Sequence, residues 1–130
     1  MVLKASKKYK KQKKNCCKIF FWKLFLLWKM SKNYFKQGNE LRKKEDWEGA
    51  FKAYAKACKE EPENSKILLC IGFVSHKLKK YPQSEKAYKK VLELEKREIN
   101  ALKGLIKLYQ DTEENSKLLD TYIEMSEAVR

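Results

Sequence analysis

Residues 38–62, GNELRKKEDWEGAFKAYAKACKEEP, decide the fold of this 130-residue chain. Small and aromatic residues recur in this stretch at helical spacing, and Pro62 ends it because proline has no amide hydrogen to continue a helix. Much of the pattern returns about 34 residues later and again, more weakly, after 34 more, which is the period of a helix–turn–helix repeat. The matching positions are Gly38, Gly72 and Ile106; Ala50, Ser84 and Leu118; and Tyr54, Tyr88 and Tyr122.

The residue types at these positions suit pairs of crossing helices. Two helices approach closely only where a side chain is small, so the glycines of one helix should meet the alanine or serine of its partner. We expect the three tyrosines to fill the space against the following unit. No segment alternates apolar and polar residues long enough to predict a strand, so the sequence predicts an all-α fold.

The pattern resembles the tetratricopeptide repeat (TPR). The resemblance implies a right-handed α-α superhelix of three repeats at residues 31–64, 65–98 and 99–130, preceded by a basic and apolar extension at residues 1–30. The third repeat departs from the pattern at Ile106 and Leu118, where small residues are usual, so its helix crossing is expected to be looser or displaced. Either Leu118, Leu119 and Met125 leave an apolar patch exposed, or the protein continues beyond this sequence; the pattern favours a fragment, a truncated sequence or an array that docks on a partner.

Charge is unevenly distributed along the chain. Residues 1–29 hold ten of the 31 Lys and Arg and none of the 17 Asp and Glu, so they contribute +10 of the net charge of +14. The repeats alone are only mildly basic. Direct nucleic-acid binding is therefore expected through the lysine tail or not at all.

The sequence contains no recognisable catalytic constellation and no usual zinc-binding pattern. The four cysteines form no C-x-x-C pair, and His76 is the single histidine, without an evident nucleophile partner. Cys58 and Cys70 are expected to be buried small hydrophobes, which suits a reducing compartment. We therefore predict a protein that is not an enzyme and needs no cofactor or metal.

The apolar stretch at residues 16–30 leaves several interpretations open. Its longest uninterrupted apolar run is five residues, far short of the roughly 20 needed to span a bilayer. It suits an interfacial membrane anchor with a cysteine pair that can be acylated, an extra helix that caps the first repeat, or a targeting segment. A further interpretation is that residues 1–29 are not native coding sequence and that Met30 is the true start.

The TPR resemblance also implies where partners bind. In this family the first helix of each unit lines a concave groove, and here its positions make a basic surface with apolar patches, suited to acidic or amphipathic segments of other proteins. The predicted groove residues are Lys32, Phe35, Asn39, Arg42, Lys66, Leu69, Phe73, His76, Asn100, Lys103, Lys107 and Gln110.

Chaperone-binding members of the family hold a peptide's terminal carboxylate with a lysine–asparagine clamp. Only Asn39 matches that clamp, because Phe35, Cys70, Asn100 and Gly104 stand at its other positions. The sequence therefore disfavours a chaperone adaptor.

Residues 87–95, 101–109 and 118–122 are similar to the N-terminal repeats of the TPR scaffold subunit of the superkiller complex. This resemblance implies a non-catalytic scaffold for helicase and propeller subunits in exosome-linked 3′–5′ mRNA decay, in the cytoplasm or also in the nucleus. The alternatives are an adaptor tethered to a membrane by residues 16–30 and an adaptor that associates with RNA through its basic tail.

Overall fold

The computed structural model describes residues 21–26 and 33–130. Residues 21–26 are helical, and the rest forms α1 (residues 33–43) and five further helices. The helices pack as three consecutive antiparallel pairs, α1 with α2, α3 with α4 and α5 with α6, and no strand occurs within the described part of the chain. The five further helices are α2 (Trp47–Glu60), α3 (Ser65–Lys77), α4 (Tyr81–Leu94), α5 (Ile99–Asp111) and α6 (Asn115–Val129).

The turn inside each helix pair has the same geometry. Glu45, Lys79 and Glu113 adopt positive φ angles of 60°, 58° and 58°, and they lie 34 residues apart. In each turn the next amide donates back to a carbonyl five residues earlier, as Lys80 does to Ser75 at 2.8 Å. This is the Schellman arrangement that ends a helix with one residue in the left-handed conformation. The structural repeat therefore persists in the third pair, although its side-chain pattern is weak.

At the N-termini of three helices, the side chain of the N-cap residue accepts a hydrogen bond from a backbone amide of the first turn. Asp46 Oδ1 accepts from Gly49 N at 3.1 Å, and Asn64 Oδ1 accepts from Lys66 N at 3.1 Å. Glu98 Oε1 accepts from Asn100 N at 3.1 Å in the same way. These oxygens satisfy amides that have no carbonyl partner within the first helical turn.

The predicted close crossings occur at the small residues. A Cβ atom at Gly38 would lie 2.6 Å from Cε1 of Tyr54, and one at Gly72 would lie 2.7 Å from Cε1 of Tyr88. Ser84 is fully buried, and its hydroxyl donates to the Gly72 carbonyl at 2.7 Å. Each glycine therefore admits the tyrosine ring of its partner helix, and Ser84 adds a buried hydrogen bond between α3 and α4.

The prediction that Tyr122 fills interior space, like the two earlier tyrosines, is wrong. Tyr54 and Tyr88 are 0% and 4% exposed, whereas Tyr122 is 45% exposed. No later helix covers α6 in the described chain, and Thr121 is the buried residue there instead. The expected apolar patch is exposed at Leu119, while Leu118 and Met125 are half-buried.

The first helices of the second and third pairs lie on the inner side of the array. Among α2 to α6, α3 contacts α5 directly, and no comparable contact joins α2 with α4 or α4 with α6. The spacing between second helices is therefore wider than the spacing between first helices, and the array curves with α3 and α5 on its concave side.

Candidate peptide-binding surface

Three of the predicted groove residues support the array through their contacts. Phe35 and Leu69 are half-buried and pack against the two hydrophobic clusters, and the ring centroid of Phe35 lies 5.9 Å from that of Tyr54. Asn39 Oδ1 accepts a 2.7 Å hydrogen bond from the hydroxyl of Tyr54. The apolar patches predicted at Phe35 and Leu69 are therefore partly consumed by intramolecular packing.

A polar cluster surrounds the Tyr54 hydroxyl where the first three helices meet. Burial raises the pKa of Tyr54, and the neighbouring Cys70 raises it further, while Arg42 acts in the opposite direction. Burial also raises the pKa of the Cys70 thiol, again opposed by Arg42. Cys70 is thus held as a neutral thiol, as expected for a structural cysteine in a partly desolvated position.

Phe73 is the exposed apolar residue of the predicted groove, with 37% of its surface accessible. Its ring meets that of Trp47 edge-on, with centroids 6.0 Å apart and planes inclined by 68°. The Lys77 ammonium lies 5.7 Å from the Phe73 centroid and 5.8 Å from the Trp47 centroid, within cation–π range. Phe73, Trp47 and Lys77 together form an aromatic–cation cluster at the inner edge of α2 and α3.

His76 already has a partner inside the array. Its Nε2 lies 2.6 Å from Oδ2 of Asp111, and its ring centroid lies 5.8 Å from that of Tyr81. The side chain of His76 is only 11% exposed, whereas that of Asp111 is 48% exposed. His76, a predicted groove residue, therefore links α3 to α5.

The remaining predicted groove residues differ in their surroundings. Lys66, Lys103 and Lys107 are exposed, and Arg42 is half-buried. The last two lysines follow each other by four residues on α5, so they share one face of that helix. Lys32 lies outside the described residues, the Asn100 side chain donates to Glu98 at 2.9 Å, and the Gln110 side chain donates to the Tyr122 hydroxyl at 3.1 Å.

Sequence reasoning missed part of this surface. Trp47 begins the second helix of the first pair, where the family pattern assigns no binding role, and it reaches Phe73 only through packing between repeats. Asp111 stands 35 residues after His76, one position beyond the repeat period. Since residues 34 positions apart occupy equivalent places in successive repeats, the sequence could have placed a neighbour of His76 near position 110. It could not show which side chain contacts His76.

Two further grooves lie between the second helices. An apolar groove of about 340 Å³ between α2 and α4 is floored by Leu68 and Ile71, and it includes three exposed lysines at positions 59, 86 and 90. A groove of about 530 Å³ between α4 and α6 carries both signs of charge. Two residues that line it, Tyr109 and Lys89, both contact Glu85: its Oε1 accepts from the Tyr109 hydroxyl at 2.8 Å and pairs with Lys89 at 2.7 Å.

The hydrogen bonds and charges around Glu85 stabilise its ionised form. The hydrogen bond from Lys89 is the main cause that lowers the pKa of Glu85, and the Tyr109 hydroxyl acts in the same direction against a partial burial that raises it. The pKa of Tyr109 is raised by burial and by its bond to this carboxylate. Burial likewise raises the pKa of Tyr88 to about 12. The bond between Glu85 and Tyr109 stabilises the contact between successive pairs.

Neither a metal site nor a membrane span emerges from the part of the chain that the structure describes. No group of three or more His, Cys, Asp or Glu side chains there could hold a metal ion. Within residues 21–26 and 33–130, no helix combines the length and the apolar character required to cross a bilayer. The predicted membrane anchor at residues 16–30 falls mostly outside these ranges.

Comparison with solved structures shows the fold. The chain superposes on the TPR2B domain of yeast Sti1, from a pHsp70 complex, with a TM-score of 0.72 and 21% identity over 76% of this chain and 79% of that one. The chain has the fold of a TPR domain. The predicted all-α superhelix is therefore confirmed.

Other TPR structures are similar to the same extent. The TPR domain of Arabidopsis OM64 gives a TM-score of 0.70 at 16% identity, covering 75% of this chain and 81% of that one. The Sgt2 TPR domain from Aspergillus fumigatus gives 0.69 at 15% identity, covering 75% and 65%. No family model and no curated protein matches the sequence. At these identities the likeness concerns the fold and not the partner.

Proposed function

We propose that this TPR-fold chain is a non-catalytic scaffold for protein–protein interaction, whose inner surface binds acidic segments of partner proteins. The observation that carries the proposal is the aromatic–cation cluster of exposed Phe73, half-buried Trp47 and exposed Lys77, with Lys66 on the same helix face as Phe73. Lysine attracts carboxylates, and the exposed Phe73 ring gives an apolar anchor that exposed lysines alone do not provide.

A peptide-display selection tests this function. The probe is a library of 15-residue peptides screened against the full chain, and we expect enrichment of Asp and Glu beside aliphatic residues. Phe73→Ala should weaken the selected peptides by about tenfold or more, as expected for a central aromatic anchor. Reversal of Lys103 and Lys107 to Glu should weaken them further and reduce the salt dependence of binding.

Two lysines on the outer side provide a matched control. Lys86 and Lys90 on α4 are also exposed and four residues apart, so their double reversal to Glu makes the same change of charge elsewhere. Binding should survive this control with its affinity nearly unchanged. Equal losses from both double variants would mean that only net charge matters, and the inner surface would then not be the binding site.

The RNA-decay context is a finer proposal, supported only by the similarity of residues 87–95 and 101–109 to the superkiller scaffold. In this proposal the protein acts in the cytoplasm, or in both the cytoplasm and the nucleus. Pull-down of purified helicase and propeller subunits by the full chain tests it. Failure of both subunits to bind, while the selected acidic peptides bind, would reject this context and leave the scaffold proposal standing.

The two tail-dependent alternatives have separate tests on the full chain. Exposed Phe21 and Trp22, 72% and 61% accessible, favour interfacial contact with lipid. Binding to anionic vesicles that Trp22→Glu abolishes would support a membrane-tethered adaptor. RNA binding that falls steeply with salt and disappears when the lysines at positions 7–14 become Gln would support an RNA-associated adaptor.

A further inference from the structure

The groove between α2 and α4, named the outer groove, lies between second helices and therefore on the opposite side of the array from the proposed peptide-binding surface. Its volume is about 340 Å³, and Leu68 and Ile71 of α3 form its floor. Phe51 and Ala55 of α2 and Ala87 of α4 line its walls. Clefts of this size with predominantly apolar walls are typical sites for the apolar part of a ligand.

Every charged residue that lines the outer groove is a lysine. Lys59 stands on the α2 rim, Lys86 and Lys90 stand on the α4 rim, and all three are exposed. None of the ion pairs among the described residues includes them. The Lys80 ammonium lies 4.7 Å from the ring centroid of Phe51 and adds a further cation beside the α2 wall. The outer groove thus combines an apolar floor with positive charge on both rims.

The neighbouring groove between α4 and α6 shows that this charge pattern is not a general property of the repeat. At the positions 34 residues after the three lysines it carries Glu93, Asp120 and Glu124. Its cations Lys89 and Lys117 are paired with a glutamate of α4. The neighbouring groove therefore holds charges of both signs, whereas no acid lines the outer groove to balance its lysines.

The α2 wall of the outer groove also differs from the equivalent surface of α4. Phe51 and Ala55 correspond to Glu85 and Lys89, which form an ion pair at 2.7 Å. Two apolar side chains thus stand on α2 where α4 has a charged pair. The α2 wall is therefore suited to contact apolar groups, and the positive rims are suited to acidic groups on either side of them.

A helix fits this groove better than other ligands with acidic groups. An extended peptide would bring backbone N–H and C=O groups against largely apolar walls, whereas a helix satisfies these groups internally. A flat bilayer surface does not reach the recessed floor, where Leu68 is only 5% exposed. Nucleic acid supplies phosphates but no aliphatic side chains for that floor.

We propose that the outer groove binds an amphipathic helix of a partner protein that carries acidic residues on both sides of its apolar stripe. The stripe lies on Leu68 and Ile71, and the flanking carboxylates pair with Lys59 on one rim and with Lys86 and Lys90 on the other. Recognition of this kind reads apolar side chains spaced three and four residues apart. The helix and the acidic segments proposed for the inner surface can bind at once, because the two surfaces lie on opposite sides of the array.

A designed helix is the probe for this proposal. It has about 21 residues, because isolated helices shorter than about 15 residues are marginal in water, with leucines spaced three and four residues apart and glutamates on both flanks. Isothermal titration calorimetry with the full chain should show binding that weakens as the salt concentration rises. A second helix of the same composition, with its leucines distributed around all faces, should bind about tenfold more weakly because it has no apolar stripe.

Variants of the full chain test whether the helix occupies the outer groove. Lys86→Glu combined with Lys90→Glu should weaken binding by about tenfold or more, because attraction at the α4 rim becomes repulsion. Ala55→Glu should have a similar effect, because binding would bury its carboxylate against the leucines. The fold tolerates this change, since the equivalent position of α4 carries a lysine. The matched control is Lys103→Glu combined with Lys107→Glu on α5, which makes the same change of net charge and should alter the Kd by less than about twofold.

The proposal is overturned if the designed helix does not bind the full chain, or if the two helices bind equally. Equal losses from the two double variants would also overturn it, because only net charge would then matter. An unchanged affinity of Ala55→Glu, in a variant that circular dichroism shows to be folded, would mean that the apolar wall is not contacted. Anionic vesicles that bind the wild type but not the Lys86 and Lys90 variant, while the helix does not bind, would assign the groove to lipid. Peptides selected on the inner surface should bind that variant normally, so either surface can fail its test without the other.

Discussion

Replacing Gly104 by alanine tests how successive helix pairs pack. The ring of Tyr88 lies between two glycines on different helices. A Cβ atom at Gly72 would lie 2.7 Å from Cε1 and 2.8 Å from Cζ, and one at Gly104 would lie 2.6 Å from Cε1 and 2.8 Å from Cε2. The ring is buried, so it cannot move away from one glycine without approaching the other.

The magnitude follows from two opposing effects. Alanine is favoured over glycine inside a helix by about 1 kcal/mol. Forcing a methyl group into a filled core costs about 1–3 kcal/mol, and the confinement of the ring places this site near the middle of that range. We therefore expect Gly104→Ala to lower the free energy of unfolding by about 1 kcal/mol, or roughly 4 °C in Tm for a domain of this size.

In the Tyr88→Leu variant, the expected effect of Gly104→Ala on stability has the opposite sign. Tyr88→Leu removes the ring, and although it lowers stability itself, it leaves room for a methyl group at position 104. In that background Gly104→Ala should raise the free energy of unfolding by about 1 kcal/mol, through helix propensity alone. The two changes should thus show a coupling energy of about 2 kcal/mol, within the range for residues in direct contact.

Urea unfolding followed by circular dichroism measures all four proteins of this cycle. Equal effects of Gly104→Ala in both backgrounds would refute the packing argument, because the ring would then not be what opposes the methyl group. A stabilising Gly104→Ala in the wild-type background would likewise show that the second and third pairs fit more loosely than their contacts indicate.

Ser84→Ala should lower the free energy of unfolding in urea by about 1 kcal/mol, because it removes the buried hydrogen bond to α3. Ser75→Ala should be neutral or stabilising, since the buried Ser75 hydroxyl has no hydrogen-bond partner among the described residues. Equal losses from the two variants would contradict this. Glu85→Gln should lower stability at pH 7 by about 0.5 kcal/mol, because the mostly exposed Lys89 loses its charged partner. The pKa of Glu85 is lowered in the folded protein, so its contribution to stability is present above the ordinary glutamate pKa and should disappear as the pH falls through the lowered value. A stability difference between Glu85→Gln and the wild type that persists at pH 2 would refute this prediction.

Repetition in the sequence predicted the fold because the 34-residue period encodes helix length and helix crossing together. The glycine and tyrosine positions were sufficient for the first two crossings. The left-handed residues Glu45, Lys79 and Glu113 could not be predicted from residue type, since glycine is the usual choice for that conformation. Backbone hydrogen bonding across the turn selects the conformation, and a lysine or glutamate tolerates it.

The third pair shows where a consensus pattern fails. Ile106 and Leu118 were expected to loosen the crossing, yet the turn between α5 and α6 keeps the geometry of the earlier turns. Gly104 of α5 lies against Tyr88 of the preceding pair, at the repeat position where Cys70 of α3 neighbours Tyr54. The α5–α6 crossing therefore forms with Ile106 at the position where Gly38 and Gly72 stand in the earlier pairs.

The candidate site was less predictable than the fold. The position of a residue within the repeat shows whether its side chain points inward. It does not show whether that side chain is already hydrogen-bonded or packed within the protein. His76 is paired with Asp111, and Asn39 with Tyr54, because neighbouring repeats bring those partners within hydrogen-bond distance. The exposed Phe73 and its partner Trp47 are left as the apolar part of the surface, and only the packed structure distinguishes them from Phe35.

The inner surface should recognise acids within a peptide rather than its terminal carboxylate. At the positions that the family resemblance assigns to a carboxylate clamp, Phe35 packs on Tyr54, Cys70 is a neutral, partly buried thiol, and Gly104 has no side chain. Asn39 is the matching residue, and its carbonyl oxygen is engaged by the Tyr54 hydroxyl. Amidation of a selected peptide's C-terminus should therefore change its Kd by less than about twofold, whereas replacing its internal Asp and Glu by amides should weaken it by about tenfold or more. Isothermal titration calorimetry with the three peptide forms measures both effects, and a preference of about tenfold for the free carboxylate would show that the surface binds peptide ends without the clamp residues.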